Sequence, residues 1–449
     1  MAPNLLGTLL VYLQVLRPAF TKPGYRKMLV LFAGWVLTRG RHAVTQALVE
    51  TKVSGLIHHE GFHRFFSRGT WSPDKVARLL FERLRLIMPD YWVVWGVIDD
   101  TLAPKRGPHV YGIGSHVDPV RSSRLRRVMS FGHCWVVLAI LVPLPFSRRQ
   151  WALPLLFRLY RNKKECAAKK ARYRKKTELA REMVDLLCDW VKRGPVRISA
   201  DSAYCNSTIT RGLPQRVILF GSMRPDAVLT RAPLPWQRGT RGRPRLRGVP
   251  VPKPRDILKD KSFPWQTGRA MLYGTYREIR YKTVFAQWYR ACGPQLLRIV
   301  IVPEDHGRLE LRVFFATDDS LSPVEVLEGY SRRWNIEVTF RELKQDLGFA
   351  HSSARKPAAV KRTAPFVGLI YTALVLWFAE FASKHPSAAP PVRPWYRQKR
   401  SRTFADILRT AQRALATADI YDPASAGGNL QKFTHAQAPP PVRPFSSYG

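Results

Sequence analysis

A continuous run of apolar, β-prone residues, YWVVWGVI at positions 91–98, is the feature that most constrains the fold. A strand that is apolar on both faces must be covered on both sides, as the inner strands of α/β sheets are. The run therefore predicts a buried central strand. Asp99 and Asp100 follow it directly, so we expect this strand to end in carboxylates.

Further patterns give the order of elements around this strand. Residues 1–88 show helical periodicity, and a second short strand is predicted to lead to Asp201. The candidates after residue 98 are strands at HVYGIG (109–114) and CWVVLAILVPL (134–144), a helix at KKTELAREMVDLLCDWVKRG (175–194) and the short strand VRISA (196–200). Three strands, a helix and a strand form the opening order of an RNase-H-like sheet. The predicted fold class is therefore α/β, with an RNase-H-like mixed sheet flanked by helices.

Charge separates this chain from an ordinary globular protein. The sequence has 74 Lys and Arg residues against 32 Asp and Glu residues, which gives a formal net charge of +42. Such a charge repels itself unless a polyanion neutralises it, so nucleic acid is the expected partner. A ribosomal or other RNA-binding protein would carry the same balance, so charge alone does not choose among these classes.

Cysteine spacing and apolar runs exclude other classes. The five cysteines lie far apart and none forms a Cys-x-x-Cys pair, which argues against a disulfide framework and against a cysteine zinc site. The N-terminus lacks the basic region of a signal peptide. The longest apolar runs, 135–146 and 366–379, are shorter than the ~18–20 residues that cross a bilayer. We therefore expect a cytoplasmic protein without a membrane span.

A second informative stretch, YSRRWNIEVTFRELKQDLG at 330–348, predicts one helix. At about 100° per residue, four polar residues fall on a stripe about 60° wide; they are Tyr330, Arg333, Glu337 and Lys344. An apolar stripe lies directly beside it and consists of Ile336, Phe340, Leu343 and Leu347. The polar stripe is either a solvated charged face or a binding face at the border of the core.

Acids are scarce in this chain, and three of them fall at matching positions. Asp99 follows the first strand, Asp201 follows VRISA, and Glu337 lies on the late helix. In an RNase-H-like sheet these elements are neighbours, so the three carboxylates are expected to meet. Buried acids are costly to desolvate unless they share cations, and carboxylate oxygens suit Mg²⁺ or Mn²⁺. Two such ions activate a water or a 3′-hydroxyl in phosphodiester transfer.

The chain resembles bacterial insertion-sequence transposases of the DDE superfamily, in the branch that carries the Y-(2)-R-(3)-E-(6)-K signature. VIDDTLAPKRG (97–107) and ISADSAYC (198–205) resemble the motifs of the first and second acids, and the resemblance covers roughly residues 55–380. Four residues match the signature at every position: Tyr330, Arg333, Glu337 and Lys344.

This resemblance implies a role for each matching residue. Asp99, Asp201 and Glu337 would bind two Mg²⁺ ions, with Mn²⁺ as a substitute. Asp100 remains a rival to Asp99, because the strand before both is apolar on its two faces, although the D-x-T pattern favours Asp99. The residues expected to contact DNA are Tyr330, Arg333, Trp334, Lys344 and Lys105, together with Arg241, Arg243 and Arg245 of RGRPR, which resembles a minor-groove hook.

Composition and resemblance together divide the chain into five predicted regions. These are an α-helical N-terminal DNA-binding domain (1–88), the first part of the catalytic core (89–224), a β-rich basic insertion (225–308), the second part of the core with the signature helix (309–385), and a Pro/Arg-rich C-terminal region (386–449) for dimerisation or DNA contact.

The implied function is metal-dependent cleavage at transposon ends and strand transfer into target DNA, which is cut-and-paste transposition. The partners would be double-stranded DNA, as terminal inverted repeats and as target, and a second copy of the chain in a homodimeric synaptic complex. Two alternatives remain open. An inactive, transposase-derived DNA-binding protein would have no chemical need for the three acids. Another RNase-H-like nuclease would lack the signature stripe and the large insertion.

Overall fold

The computed structural model describes residues 5–107, 109–118, 121–123, 125–235, 243–303, 311–383 and 401–416, and the single residues 385, 388 and 395. Arg241 and most of the C-terminal region from residue 386 onwards, which the sequence assigns to DNA contact or dimerisation, lie outside these described residues.

Helices make up the N-terminal part of the chain, as its periodicity predicts. They span Leu5–Gln14 (α1), Lys22–Leu37 (α2), Val44–Glu50 (α3), Glu60–Ser67 (α4) and Pro73–Ile87 (α5). Proline stands in the first turn of α2 and of α5, where the missing N–H removes no helical hydrogen bond. The apolar faces of these helices join the same hydrophobic core as the sheet.

A single mixed sheet follows, and its first half has the RNase-H-like order. Its strands are Val94–Pro104 (β1), Gly114–Val117 (β2), Met129–Pro143 (β3), Gln150–Tyr160 (β4), Val196–Ala200 (β5) and Val217–Met223 (β6), with helices Lys163–Ala168 (α6), Lys176–Val191 (α7) and Ser207–Thr210 (α8) between them. β1 pairs antiparallel with β3 and parallel with β5, while β3 also pairs with β4 and β5 with β6. The order β4-β3-β1-β5-β6 confirms the predicted α/β class.

Two strand predictions differ from the structure. The segment 109–114 is wrong as a strand: Gly112 has a φ of +74° and the Tyr111 N–H donates to the Arg355 carbonyl, so this part of the chain turns, and β2 begins only at Gly114. β4 was not predicted; it contains Pro154, which lacks the N–H that a strand residue donates. The β3–β4 register shifts between Leu138 and Ala139, where Pro154 pairs, and this bulge accommodates the proline.

Strands of the predicted insertion extend the same sheet. The elements of this part are Leu229–Thr230 (β7), Pro250–Val251 (β8), Pro254–Ile257 (α9), Gln266–Leu272 (β9), Thr275–Gln287 (β10), Tyr289–Cys292 (α10), Leu296–Pro303 (β11) and Leu311–Ala316 (β12). β12 pairs antiparallel with β6, which joins this part to the first half. Tyr273 and Gly274 link β9 to β10 with φ of 53° and 85°, as a two-residue type I′ turn requires. The domain boundaries remain predictions.

The predicted helix at 330–348 is broken in the structure. One helix spans Pro323–Ser331 (α11) and the next Trp334–Asp346 (α12). Between them the Arg333 N–H donates to the Tyr330 carbonyl, and the Ser331 hydroxyl donates to the Glu328 carbonyl, so short-range bonds tighten the turn. The prediction of a single helix is therefore wrong. The apolar stripe is confirmed, because its four side chains are buried: Ile336, Phe340, Leu343 and Leu347.

A long helix, Pro357–Trp377 (α13), closes the core and continues as a π-helical turn, Phe378–Ala382. Together these form the one described segment that is long and apolar enough to cross a membrane, but 89% of its most apolar window is buried inside the protein. A buried ion pair between Glu380 and Arg83 ties the turn to α5. Phe404–Ala416 (α14) is a further helix.

Candidate active site

Parallel pairing of β1 and β5 brings the first two predicted acids to neighbouring positions. The register of the two strands ends with Ile98 opposite Ala200, so Asp99 and Asp201 are the next residues on each. Asp201 turns the chain after β5, because its Oδ1 accepts a hydrogen bond of 2.7 Å from the Ser202 N–H. This bond begins a short 3₁₀ turn, Ser202–Tyr204.

Arg333 joins the third acid to the first. Its Nη1 donates to Asp99 Oδ2 at 2.6 Å, and its Nη2 donates to Glu337 Oε1 at 2.7 Å. The Arg333 side chain is only 16% exposed. A buried guanidinium with two charge-assisted bonds is a strong connection. It holds the start of α12 against the acid-bearing part of β1.

Burial and mutual repulsion define the electrostatics of this cluster. The pKa of Asp99 is raised from 3.8 to about 7, chiefly by burial and to a smaller extent by the negative charges of Asp100 and Asp201, while the Arg333 guanidinium offsets part of the effect. Burial lowers the pKa of Arg333, but Asp99 and then Glu337 and Asp201 outweigh it and raise the net pKa. All three acids therefore act on one buried positive charge.

The three carboxylates suit a divalent cation, provided that the guanidinium of Arg333 moves away from them. Among the described residues, no group of three His, Cys, Asp or Glu side chains is close enough to hold a metal ion as it stands. The guanidinium of Arg333 lies between Asp99 and Glu337 and supplies the positive charge there. Three carboxylates are hard oxygen ligands, and buried acids of this kind need a cation. The residues therefore fit Mg²⁺ or Mn²⁺ in chemistry.

Asp100 points to the opposite side of the strand from Asp99. Its Oδ1 accepts a hydrogen bond of 2.7 Å from the Tyr204 hydroxyl, and its Oδ2 accepts one of 2.6 Å from Lys176 Nζ. Cys134 Sγ lies 3.4 Å from the same Oδ2. Successive side chains of a strand face opposite sides, and both aspartates lie within β1 rather than after it. The expectation that the strand ends at these two aspartates is wrong, because β1 continues to Pro104.

The aromatic residues predicted to contact DNA lie at the α11–α12 junction. The Tyr330 hydroxyl is 3.4 Å from the Ser222 hydroxyl, and its ring centroid is 4.8 Å from that of Phe314. Trp334 is 49% exposed at the start of α12 and meets the Tyr273 ring edge to face at 5.9 Å. Trp334 is therefore accessible one residue from Arg333, while Tyr330 is partly enclosed.

Two predicted DNA-binding lysines have partners outside the acid cluster. Lys105 Nζ donates to the Ala350 carbonyl at 2.5 Å and to the Ser352 carbonyl, and burial, followed by repulsion from Arg41, lowers its pKa to about 8. Burial also lowers the pKa of Lys344, and the charge of Asp118 partly restores it. Lys105 thus lies just beyond the Pro104 end of β1, and Lys344 lies near Asp118, which follows β2. Arg243 and Arg245 are exposed, whereas Arg241 lies outside the described residues.

A basic cleft of about 1320 Å³ lies beside these lysines. Its charged lining residues are Arg41, Lys105, Arg106, Asp118, Arg121 and Arg355. Only one of them is an acid, and the positive charge of Arg41 contributes, after burial, to the lowered pKa of Lys105. Burial and then the charges of Lys105 and Arg41 also lower the pKa of the neighbouring His351. Arg41 and Arg355 lie far apart in the sequence, so sequence spacing could not have shown that they meet.

Sequence reasoning also missed the two partners of Asp100. Tyr204 stands three residues after Asp201 in ISADSAYC, and that proximity to a predicted acid was the available signal. Lys176 starts α7 within a basic run, where nothing in the sequence distinguishes it from its solvated neighbours.

Comparison with known families agrees with this geometry. A family model described as DDE superfamily endonuclease matches residues 15–279, which include Asp99 and Asp201. A second model, described as archaeal putative transposase ISC1217, matches residues 291–382, which include Glu337. The comparison with curated proteins gave no match. Because the first model covers more than half of the chain, the chain belongs to the DDE superfamily of endonucleases, as an insertion-sequence transposase.

Proposed function

We propose that this transposase cuts DNA at the ends of its own element and joins those ends to target DNA, in a cut-and-paste reaction. The observation that carries the proposal is the convergence of Asp99, Glu337 and Asp201 on a single buried positive charge, that of Arg333. A structural ion pair needs one acid for one base. Three acids around one base leave an excess of negative charge that suits divalent metal.

Enzymes of the DDE superfamily generally use divalent metal ions, and Asp99, Asp201 and Glu337 are the residues that would hold Mg²⁺ or Mn²⁺ here. When bound, the ions supply an activated water or 3′-hydroxyl and stabilise the leaving oxygen. Asp99 must be ionised to act as a ligand. With its pKa near 7, it loses a proton on metal binding, so metal affinity should rise with pH through that range.

Arg333 has a second role once it leaves the acids. Its guanidinium carries donors suited to bidentate contact with a phosphate, and it stands one turn before Glu337. The exposed ring of Trp334 is then next to the same phosphate group, where it can stack on a base. Tyr330 would position Arg333 from the side, since the guanidinium carbon lies 5.9 Å from its ring centroid.

The basic cleft extends this contact along the DNA backbone. Lys105 is six residues beyond Asp99 in sequence, and five residues of strand between Asp99 and Pro104 span about 17 Å. Duplex DNA held at the acids and in the cleft would neutralise a large part of the +42 charge. The helical region 1–88 and the exposed Arg243 and Arg245 would add contacts, and a homodimer in the cytoplasm would hold two ends together.

Cleavage of a labelled duplex tests this function. The duplex should carry the inverted repeats that flank the reading frame, and a scrambled repeat is the control. We expect cutting with Mg²⁺ or Mn²⁺ and none in excess EDTA. Undiminished cutting in EDTA contradicts the metal assignment. Specific binding of the repeats without cutting under any divalent metal would identify an inactive, transposase-derived DNA-binding protein instead.

A further inference from the structure

We propose that Asp100 is a positioning residue: through Tyr204 it holds together the two chain segments that carry Asp99 and Asp201. It acts on the geometry of the metal ligands without being one of them. This inference rests on the proposed function, because it assigns a purpose to a side chain next to the proposed site.

The pairing of β1 with β5 ends just before the two acids. Beyond Ile98 and Ala200 there are no further register pairs between these strands, although β1 itself continues to Pro104. Main-chain pairing therefore brings Asp99 and Asp201 next to each other but does not include the two residues themselves. Another connection is needed at this point if the two carboxylates are to keep one geometry.

The side chain of Asp100 provides that connection. It projects from the residue after Asp99, and its Oδ1 accepts a 2.7 Å hydrogen bond from the Tyr204 hydroxyl. Tyr204 ends the short turn that begins after Asp201, and it is only 1% exposed. The bond thus joins the neighbour of the first acid to the turn that carries the second.

The Tyr204 end of this connection is itself held firmly. The Tyr204 N–H donates to the Asp201 carbonyl at 2.9 Å, and Cys205 Sγ donates to the same carbonyl at 3.3 Å. A shift of the tyrosine would therefore move the Asp201 backbone. Hydrogen-bonded partners of this kind orient metal ligands, and their loss typically costs about 10–100-fold in metal affinity.

Lys176 explains why Asp100 does not compete for the metal. Its ammonium donates to Asp100 Oδ2 at 2.6 Å from the first turn of α7, and it lies 5.4 Å from the Tyr160 ring centroid. Both carboxylate oxygens of Asp100 are thus bonded, and a fixed positive charge stands beside them. A cation on this side of the strand would be repelled.

Tyr204→Phe is the sharpest test, because it removes one hydroxyl and keeps the ring. Tyr371→Phe is a matched control: Tyr371 is also fully buried, and its hydroxyl donates to a carboxylate oxygen, Glu342 Oε2, at 2.6 Å. Both variants should lower the melting temperature. Only Tyr204→Phe should weaken Mn²⁺ binding, by about tenfold or more, measured by electron paramagnetic resonance on the full-length protein.

Asp100 itself gives a second readout. Asp100→Asn keeps an oxygen that accepts from Tyr204, whereas Asp100→Ala does not, so the affinity for Mn²⁺ should fall in the order wild type, Asn, Ala. At saturating Mn²⁺, cleavage by Tyr204→Phe should return close to the wild-type rate. Wild-type Mn²⁺ affinity in Tyr204→Phe overturns the inference. If Asp201→Ala also binds Mn²⁺ as the wild type does, the proposed function has failed as well, which separates the two failures.

Discussion

The two faces of β1 carry adjacent aspartates in opposite surroundings. On one face Asp99 meets Arg333, a base that two further acids, Glu337 and Asp201, also influence. On the other face Asp100 accepts hydrogen bonds from one base, Lys176, and from the Tyr204 hydroxyl. Both carboxylates are ion-paired, so pairing does not distinguish them. The two carboxylates are distinguished by the number of acids that share one base.

This difference teaches how a buried ion pair and a prospective metal site can be told apart. A one-to-one pair balances its own charge and connects elements of the fold. A cluster with three acids and one base is balanced only in part. Burial is the main cause that raises the pKa of Asp99 to about 7, and the charge of Asp201 adds to it. The first arrangement is complete without a ligand, and the second is not.

The largest effect on cleavage is expected from substitution of the acids that contact Arg333 or raise its pKa. Asp201→Ala and Glu337→Ala should each abolish cleavage, because each removes a ligand of the proposed metal site. Binding of the element's end in a gel-shift assay should remain nearly unchanged, since neither residue is a phosphate contact. If a variant lost DNA binding as well as cleavage, its residue would be needed for the fold rather than for metal binding. The proposed difference between the two faces of β1 would then be unsupported.

Phe340→Ala should have the next largest effect, and it acts on stability. Phe340 is 7% exposed on the apolar side of α12, and truncating a buried Phe costs about 3–5 kcal/mol. A denaturant titration measures this change. An unchanged free energy of unfolding would mean that α12 presents a different side to the core, and Glu337 would then be misplaced as well.

Arg333→Ala and Lys344→Ala should both slow cleavage but should differ in their effect on stability, although both residues belong to the same signature. Loss of a charge-assisted bond to phosphate costs about 1.5–3 kcal/mol, so each should slow cleavage about ten- to a hundredfold. Arg333→Ala should also destabilise the protein in EDTA, because Asp99 and Glu337 lose their counter-charge, and Mn²⁺ should restore part of that loss. Lys344→Ala is the control, since its charge interacts with Asp118. Equal melting temperatures for both variants in EDTA would contradict this role of Arg333.

A further expected effect is a pH dependence of stability in EDTA. The pKa of Asp99 is about 7 in the folded chain against an ordinary value of 3.8. Between these values the folded chain holds a proton that the unfolded chain has lost, so stability falls as pH rises. Asp99→Asn should reduce the difference in melting temperature between about pH 5 and about pH 8. Asp226→Asn, an exposed acid in an ion pair with Arg224, should leave it unchanged.

Much of this site follows from sequence patterns, and the rest depends on contacts that no pattern contains. The strand before Asp201 and the apolar stripe of α12 follow from the periodicity of adjacent residues. Periodicity cannot decide between Asp99 and Asp100 as the first acid, because the run before them is apolar at every position. Once β1 is known to continue to Pro104, alternation places the two aspartates on opposite faces.

Long-range partners could not be predicted at all. Lys176 and Tyr204 are 76 and 104 residues from Asp100 in sequence, and Arg333 is 234 residues from Asp99. The break between α11 and α12 was missed for a different reason. Residues 330–348 have good helix propensity throughout, and the break depends on short-range hydrogen bonds at Tyr330 and Ser331 that propensity does not describe.

A side-by-side comparison of Asp99→Asn and Asp100→Asn tests the central claim most directly. Both variants are assayed for cleavage of the element's end at saturating Mn²⁺, with end binding measured in parallel. We predict that Asp99→Asn binds the end but does not cut it, and that Asp100→Asn cuts at close to the wild-type rate. Cleavage by Asp99→Asn together with an inactive Asp100→Asn would contradict the account, because the first acid of the site would then lie on the other face of β1.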